Sequence, residues 1–335
     1  MIWSRGFSAR FTASVVDPVT WRDIRDVRIT GGSIERNTEK MMESADISMT
    51  ELIETGEAWI RIWLDARQDA GTSAHIPLFT GITSVPERSL DGTRESYSAE
   101  CYSVLKPMAD RLLQRGWYAP ADADGAALAA RLLSTGPAPV TFDEGSPHLA
   151  DAIVAEDGES DLTMAEKIIT AIGWRIKISG DGRIHICEKA SEVTAAFDSL
   201  SNDIIEMHVT DTCDWYSCPN VFRAVSGDAT AVARDDDPES ILSTITRGRE
   251  VWMEETDCSL NLGETLSSYA LRRLKEEQSP ARTLHYDRRY QPDVSSGDLI
   301  RIRYPGNGLD GTFRIKSQSI ELGYGVKTTE EAVTA

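Results

Sequence analysis

The stretch Gly297–Lys327, GDLIRIRYPGNGLDGTFRIKSQSIELGYGVK, constrains the fold of this chain more than any other. Leu299, Ile300 and Ile302 interleave with Arg301 and Arg303, and Phe313, Ile315 and Ser317 alternate with Arg314 and Lys316. Ile320 and Leu322 resume the pattern after Gln318. A period of two marks strands with one buried face. The breaks at Pro305–Gly308 and Gly323-Tyr324-Gly325 carry glycines that reach the positive φ of tight connections. The stretch reads as a small antiparallel meander.

A similar layout occurs earlier, over 57–98. Trp59-Ile60-Arg61-Ile62 matches Leu299-Ile300-Arg301-Ile302, and residues 81–85 lie over 311–315. Asp91-Gly92 then turns into a last strand, as Gly323-Tyr324-Gly325 does. Few identities carry the match, so it is either a duplicated β-module or a chance likeness of two meanders.

Between these meanders the period changes. Residues 106–115 and 122–134 fit short helices, the first stopped by Gly116 and the second by Gly136 and Pro137. Thr163 and Glu166 fit a capping box ahead of a stripe of Met164, Ile168 and Ile172. Trp174–Ile178 and Arg183–Ile186 alternate across Gly180-Asp181-Gly182, a strong hairpin signal. Helix plus hairpin predict an α+β insert over about 107–197. The β pattern returns at Ile204, with a hairpin through Gly227-Asp228, a helix start at Asp237-Pro238-Glu239, and a helical stripe of Leu262, Leu266, Ala270 and Leu274. Nearer the N-terminus, 26–34 reads as a strand ending at Gly31-Gly32, and 35–43 as an exposed charged loop.

ITGGSIERNTEKMMESADISM at 29–49, LFTGITSVPERS at 78–89 and GDLIRIRYPGNGLDGTFRIKSQSIEL at 297–322 together resemble the hub proteins of phage tail baseplates and tail tips, over roughly 27–326. That resemblance implies a mainly β fold with two similar tail-tube-like β-barrel modules, 1–105 and 204–335, around an α+β insert, 106–203. It also implies a homotrimer whose six barrels continue a six-fold tail tube. Its partners would be the tail tube protein or distal tail ring on one side and a central spike or tip on the other, within a virion assembled in the host cytoplasm. Some relatives carry a peptidoglycan-cleaving domain, for which the chain leaves no room after its last strand. The rival readings are a cell-wall hydrolase or carbohydrate-binding tail protein, and another tail-tip ring component.

Composition bears on partners. With 54 Asp and Glu against 35 Lys and Arg the net charge is −19, which opposes binding of DNA phosphates. No run of about 18 apolar residues suggests a membrane span. The cysteines, Cys101, Cys187, Cys213, Cys218 and Cys258, are odd in number and widely spaced, so unbridged thiols in a reducing compartment are expected.

No catalytic signature of nucleotide, hydrolase or zinc-protease type occurs. His75, His148, His185, His208 and His285 stand singly. Asp235-Asp236-Asp237 suits a hard cation, but capping and solvation explain it as well. Cys213 and Cys218 lack two further zinc ligands nearby. Glu54 with Glu57, or Glu254 with Glu255, are conceivable acid pairs among many carboxylates. No enzyme, cofactor or metal is therefore expected. Arg61, Arg301 and Arg303 alternate with isoleucines, which directs them to the face opposite the core. There they are either solvated or contribute to a subunit interface or a lumen.

Overall fold

The structure is a computed structural model that describes residues 1–335 other than 4, 39–42, 52, 54–55, 69–70, 199–204, 228, 257, 259–264 and 279–281. Ile204, Leu262, Asp228 and Glu54, singled out above, thus lie outside the described residues. Contacts divide the chain into two compact units, 1–209 with 285–333 and 335, and 210–284 with 334.

The fold is mainly β. The first eight strands are β1 (Ser8–Val16), β2 (Asp23–Val27), β3 (Ile29–Asn37), β4 (Glu43–Met49), β5 (Trp59–Arg67), β6 (Ser73–Thr83), β7 (Glu87–Asp91) and β8 (Arg94–Ser103). Then come α1 (Lys106–Asp110), β9 (Tyr118–Ala119), α2 (Gly125–Leu133), β10 (Val140–Phe142), β11 (Ile153–Val154), α3 (Asp161–Ala171), β12 (Trp174–Ile178) and β13 (Ile184–Glu188). After β14 (Val193–Asp198) and β15 (Ile205–Cys213) follow β16 (Val221–Ser226), β17 (Ala229–Arg234), α4 (Thr244–Arg247), β18 (Trp252–Thr256) and α5 (Leu266–Glu277). The chain closes with β19 (Arg282–Arg289), β20 (Leu299–Tyr304), β21 (Leu309–Glu321) and β22 (Lys327–Thr334).

One 14-stranded sheet runs β15-β19-β22-β21-β3-β4-β8-β6-β5-β1-β2, with β7 on β8 and β20 between β14 and β21. The expected closing meander is present: β20 pairs antiparallel with β21, Leu299 opposite Arg314 and Tyr304 opposite Leu309. β20 buries Leu299, Ile300, Ile302 and Tyr304 and exposes Arg301 and Arg303, as alternation requires. The N-terminal and C-terminal strands share this sheet, because β21 also pairs antiparallel with β3, Ile320 opposite Ile34. Ile320, Leu322 and Val326 accordingly join one core with Ile34, Ile47, Ile60, Ile62 and Phe79.

A second core holds the helices and hairpin of the insert, from Val104 to Ile186. The hairpin β12–β13 forms as expected, Ile178 opposite Ile184. β10 lies parallel along the other edge of β13. β14, within the expected insert, pairs parallel with β20. The stretch expected as a second barrel module contains the second compact unit, where β17-β16-β18 form a three-stranded sheet. Phe222, Ala224 and Ala233 of that sheet pack on Tyr269, Ala270 and Leu274 of α5.

Several local expectations are corrected. α1 stops at Asp110 because the next residues pair with the loop before α3: Leu113 N–H donates to Glu159 O (2.9 Å) and Asp161 N–H to Arg111 O (3.0 Å). α3 is capped by Ser160, whose hydroxyl accepts from Thr163 N–H, and not by Thr163. No helix starts at Asp237, since Asp235 and Asp237 carboxylates capture the N–H groups of Asp237 and Glu239 in successive turns. β3 continues through Gly31-Gly32, where a Cβ on Gly32 would lie 2.0 Å from Asp46 O and the register shifts between Ile29 and Gly31. The region expected as an exposed loop contains two buried charges, Arg36 and Glu43, each 5% exposed.

Candidate functional site

The structure places Arg61 and Arg301 in different settings. Arg61, on β5, is 6% exposed. Its guanidinium donates to Thr80 Oγ1 (3.0 Å), Asp23 Oδ1 (2.7 Å) and Asp181 O (3.1 Å). Asp181 belongs to the turn of the β12–β13 hairpin, which lies over this face of β5 and β6. Thr80 Oγ1 donates to Gly180 O at 2.8 Å, and Trp21 Nε1 to Asp181 O at 2.9 Å. A Cβ on Gly180 would stand 1.9 Å from Pro77 O, so the hairpin backbone touches the sheet backbone. Arg61 thus bonds the insert to the sheet within one chain.

Arg301 and Arg303 lie on the surface, their side chains 52% and 47% exposed. Arg301 Nε and Nη2 grip Asp310 in a two-point bond (3.0 and 3.1 Å). Arg303 stands 3.7 Å from Asp198 and 3.8 Å from Asp310. The hydrogen bond from Arg301 holds the Asp310 carboxyl below the usual range. The cluster spans β14, β20 and β21.

The least expected feature is a buried polar chain across five strands. On β22, Glu330 Oε1 accepts from Arg288 Nη2 (2.6 Å) and Gln318 Nε2 (2.6 Å). Its Oε2 accepts from Arg288 Nε (2.8 Å) and Tyr286 O–H (2.6 Å). Both charged side chains are 0% exposed. Gln318 on β21 accepts from Arg36 Nη1 (3.1 Å), and Arg36 on β3 pairs with Glu43 on β4 (3.1 Å). Arg36 also donates to Leu78 O. The chain therefore joins the C-terminal strands to the N-terminal ones where β21 meets β3. Burial pushes the Tyr286 hydroxyl well above its ordinary value, with the Glu330 charge adding to it. Burial opposes the charge on Arg288, but Glu330 outweighs it and raises the guanidinium.

Glu43 ends this chain. Burial pushes its carboxyl from 4.5 to about 7, against the pull of Arg36. A carboxyl raised on folding adds stability that is complete below the unfolded value and lost as pH rises through the folded one. Between those two values the loss runs at about 1.4 kcal/mol for each pH unit. Wild type relative to Glu43→Gln should therefore lose up to about 3 kcal/mol between about pH 4.5 and 7.5. Urea unfolding of both proteins at half-unit pH steps reads this difference. A constant difference would show that Glu43 is already ionised in the folded state at about pH 5.

The other candidates have structural partners. Glu254 and Glu255 are neighbours on β18 and point to opposite faces. Glu254 pairs with Arg223 (2.9 Å), while Glu255 accepts from Tyr269 (2.7 Å) and Arg273 (3.1 Å), the Tyr269 bond holding its carboxyl down. Asp235 accepts from Ser240 (2.6 Å) and Gln278 (2.9 Å), and Asp236 from Thr244, so the aspartates fasten turns. Cys101, Cys218 and Cys258 are buried, Cys187 and Cys213 half-buried, with no disulfide among the described residues. Among the described residues no helix is long and apolar enough to cross a membrane.

No protein-family model and no curated protein matches the chain. Solved structures do. The 43 kDa tail protein of prophage MuSo2 from Shewanella oneidensis is similar with a TM-score of 0.68 and 15% identity, over 98% of this chain and 97% of that one. The tail protein from Neisseria meningitidis MC58 gives 0.66 and 16%, over 96% of each. Prophage tail protein gp18 from Listeria monocytogenes EGD-e gives 0.54 and 10%, over 97% and 94%. The chain has the fold of phage tail proteins.

Proposed function

We propose that this chain is a non-enzymatic structural protein of a phage tail or tail-like particle, acting as a trimeric hub at its distal end. In this role it adapts the six-fold tube to a three-fold spike or tip and surrounds the DNA path. The carrying observation is the end-to-end likeness of fold to phage tail proteins, 97% of the first of them being spanned. A structure of a Francisella PdpA–VgrG complex is also similar, with a TM-score of 0.58 and 6% identity, over 98% of this chain and 58% of that chain. It supports a spike or tip as the partner. Two tube-like barrels per chain, drawn from 1–105 and 204–335, would give six per trimer. The net charge of −19 suits a channel that DNA passes without sticking.

The exposed Arg301–Arg303 cluster is the proposed contact to a neighbouring subunit or partner. Exposed ion pairs of this kind add little to folding. Arg301→Ala with Arg303→Ala should therefore leave the unfolding midpoint close to that of wild type. Assembly with tube and spike should weaken about tenfold, as for loss of interface charges. Light scattering of co-expressed components reads the assembly. Undiminished incorporation of the double variant would remove these arginines from the interface. A fluorescent duplex titration should show negligible affinity near physiological salt, and tight salt-sensitive binding would oppose the DNA-path role.

A further inference from the structure

We propose that Asp143, His185 and Cys187 form a binding site for a borderline-soft divalent transition-metal ion of the zinc type. The parallel pairing of β10 with β13 sets Thr141 opposite His185 and Phe142 opposite Ile186. Asp143 follows directly, and its N–H donates to Ile186 O at 3.0 Å, which brings its carboxylate to the same face of β13. His185 and Cys187 are two apart on that strand and share the face opposite the fully buried Ile184 and Ile186. The carboxylate oxygen, ring nitrogen and sulfur all lie within 4.8 Å of one another.

The donors are already near coordination spacing. Zinc bonds of about 2.0–2.3 Å in a tetrahedron put neighbouring ligand atoms roughly 3.3–3.8 Å apart. His185 Nε2 stands 3.2 Å from Asp143 Oδ1. The other ring nitrogen, Nδ1, is 2.9 Å from Thr141 Oγ1, which also lies 3.5 Å from Ile184 O. In one tautomer Nε2–H donates to Asp143; in the other Nδ1–H donates to Thr141 and leaves the Nε2 lone pair facing the Asp143 carboxylate, an arrangement that a bound cation completes. This second tautomer is the one that a metal-bound histidine holds through an outer hydrogen bond.

The donor set selects the ion. One thiolate, one imidazole and one carboxylate favour zinc-type ions over calcium or magnesium, which prefer all-oxygen sites. Three protein ligands leave a fourth position for water. Asp143 is 52% and His185 40% exposed, so the ion has an open path. Once bound, it would clip the three-residue edge strand β10 to β13. The Cys187 thiol gives up its proton on coordination, so binding releases a proton.

The test uses the full-length chain freed of metal with a chelator. Zinc is titrated by calorimetry and cobalt(II) by absorption. The expected result is one equivalent bound, a thiolate-to-cobalt charge-transfer band, and a thermal midpoint that rises with zinc. His185→Ala and Cys187→Ser should abolish all three, while Cys213→Ser keeps them. Thr141→Val should weaken binding by about 10-fold or more, as for lost outer-shell partners. Calcium in hundredfold excess should not compete. Circular dichroism of the metal-free variants establishes that they fold. Absence of stoichiometric binding by wild type, or unchanged zinc affinity in both His185→Ala and Cys187→Ser, would overturn the proposal.

Discussion

Replacing Glu330 by alanine should destabilise the protein by about 3–5 kcal/mol, the typical result of removing one member of a buried ion pair. Arg288 would keep its charge at 0% exposure with no carboxylate beside it. Tyr286 and Gln318 would each lose an acceptor at 2.6 Å. A loss of this size is a large share of the roughly 5–15 kcal/mol that ordinary proteins possess. The triple change Arg288→Met, Tyr286→Phe and Glu330→Leu removes the acceptor together with the Arg288 and Tyr286 donors, and leaves Gln318 Nε2 its bond to Val294 O (3.2 Å). It should cost clearly less than Glu330→Ala alone, because hydrophobic replacement of a complete buried pair is often neutral. Denaturant unfolding, followed at the first transition, compares the two. An alanine variant within about 1 kcal/mol of wild type would mean that Arg288 finds water or another acceptor.

The second large effect is expected at Gly180. Its added Cβ meets backbone, Pro77 O at 1.9 Å and Pro77 C at 2.6 Å, so no side-chain rotation relieves the clash. Gly180→Ala must lift the hairpin turn from β6. That strains the bonds from Thr80 to Gly180 O, and from Arg61 and Trp21 to Asp181 O. Overpacking of about 1–3 kcal/mol and about 1 kcal/mol for each of the three hydrogen bonds give a total of up to roughly 4–6 kcal/mol. Hydrogen exchange should quicken selectively in 59–63 and 77–82. Exchange and stability equal to wild type would show that the turn does not need this contact.

Much of the fold was legible because one physical signal dominated it. Period-two alternation located β20, β21, β12 and β13, and the β20 residues bury and expose in that order. The parts that stayed illegible are those where distant residues decide. Nothing local to Arg61 says that a turn some 120 residues later will cover it. Gln318 and Glu330 have the appearance of polar strand residues, and only the meeting of β19, β22, β21 and β3 turns them inward. At α3, Ser160 and Thr163 are both good caps, and the pairing of Asp161 N–H with Arg111 O fixes the start three residues earlier. His185 and Cys187 read in the sequence as unconnected strand residues, because the third donor, Asp143, comes from a parallel neighbour.

The proposed role is that of a three-fold hub on the tail axis. A cryo-electron-microscopy reconstruction of the particle, or of the chain co-assembled with its tube and spike, tests it most directly. Three copies should surround the axis, with six barrel-like modules continuing the tube and Arg301 and Arg303 at a subunit or partner contact. Density for this chain away from the axis, or six copies forming a ring of their own, would contradict it.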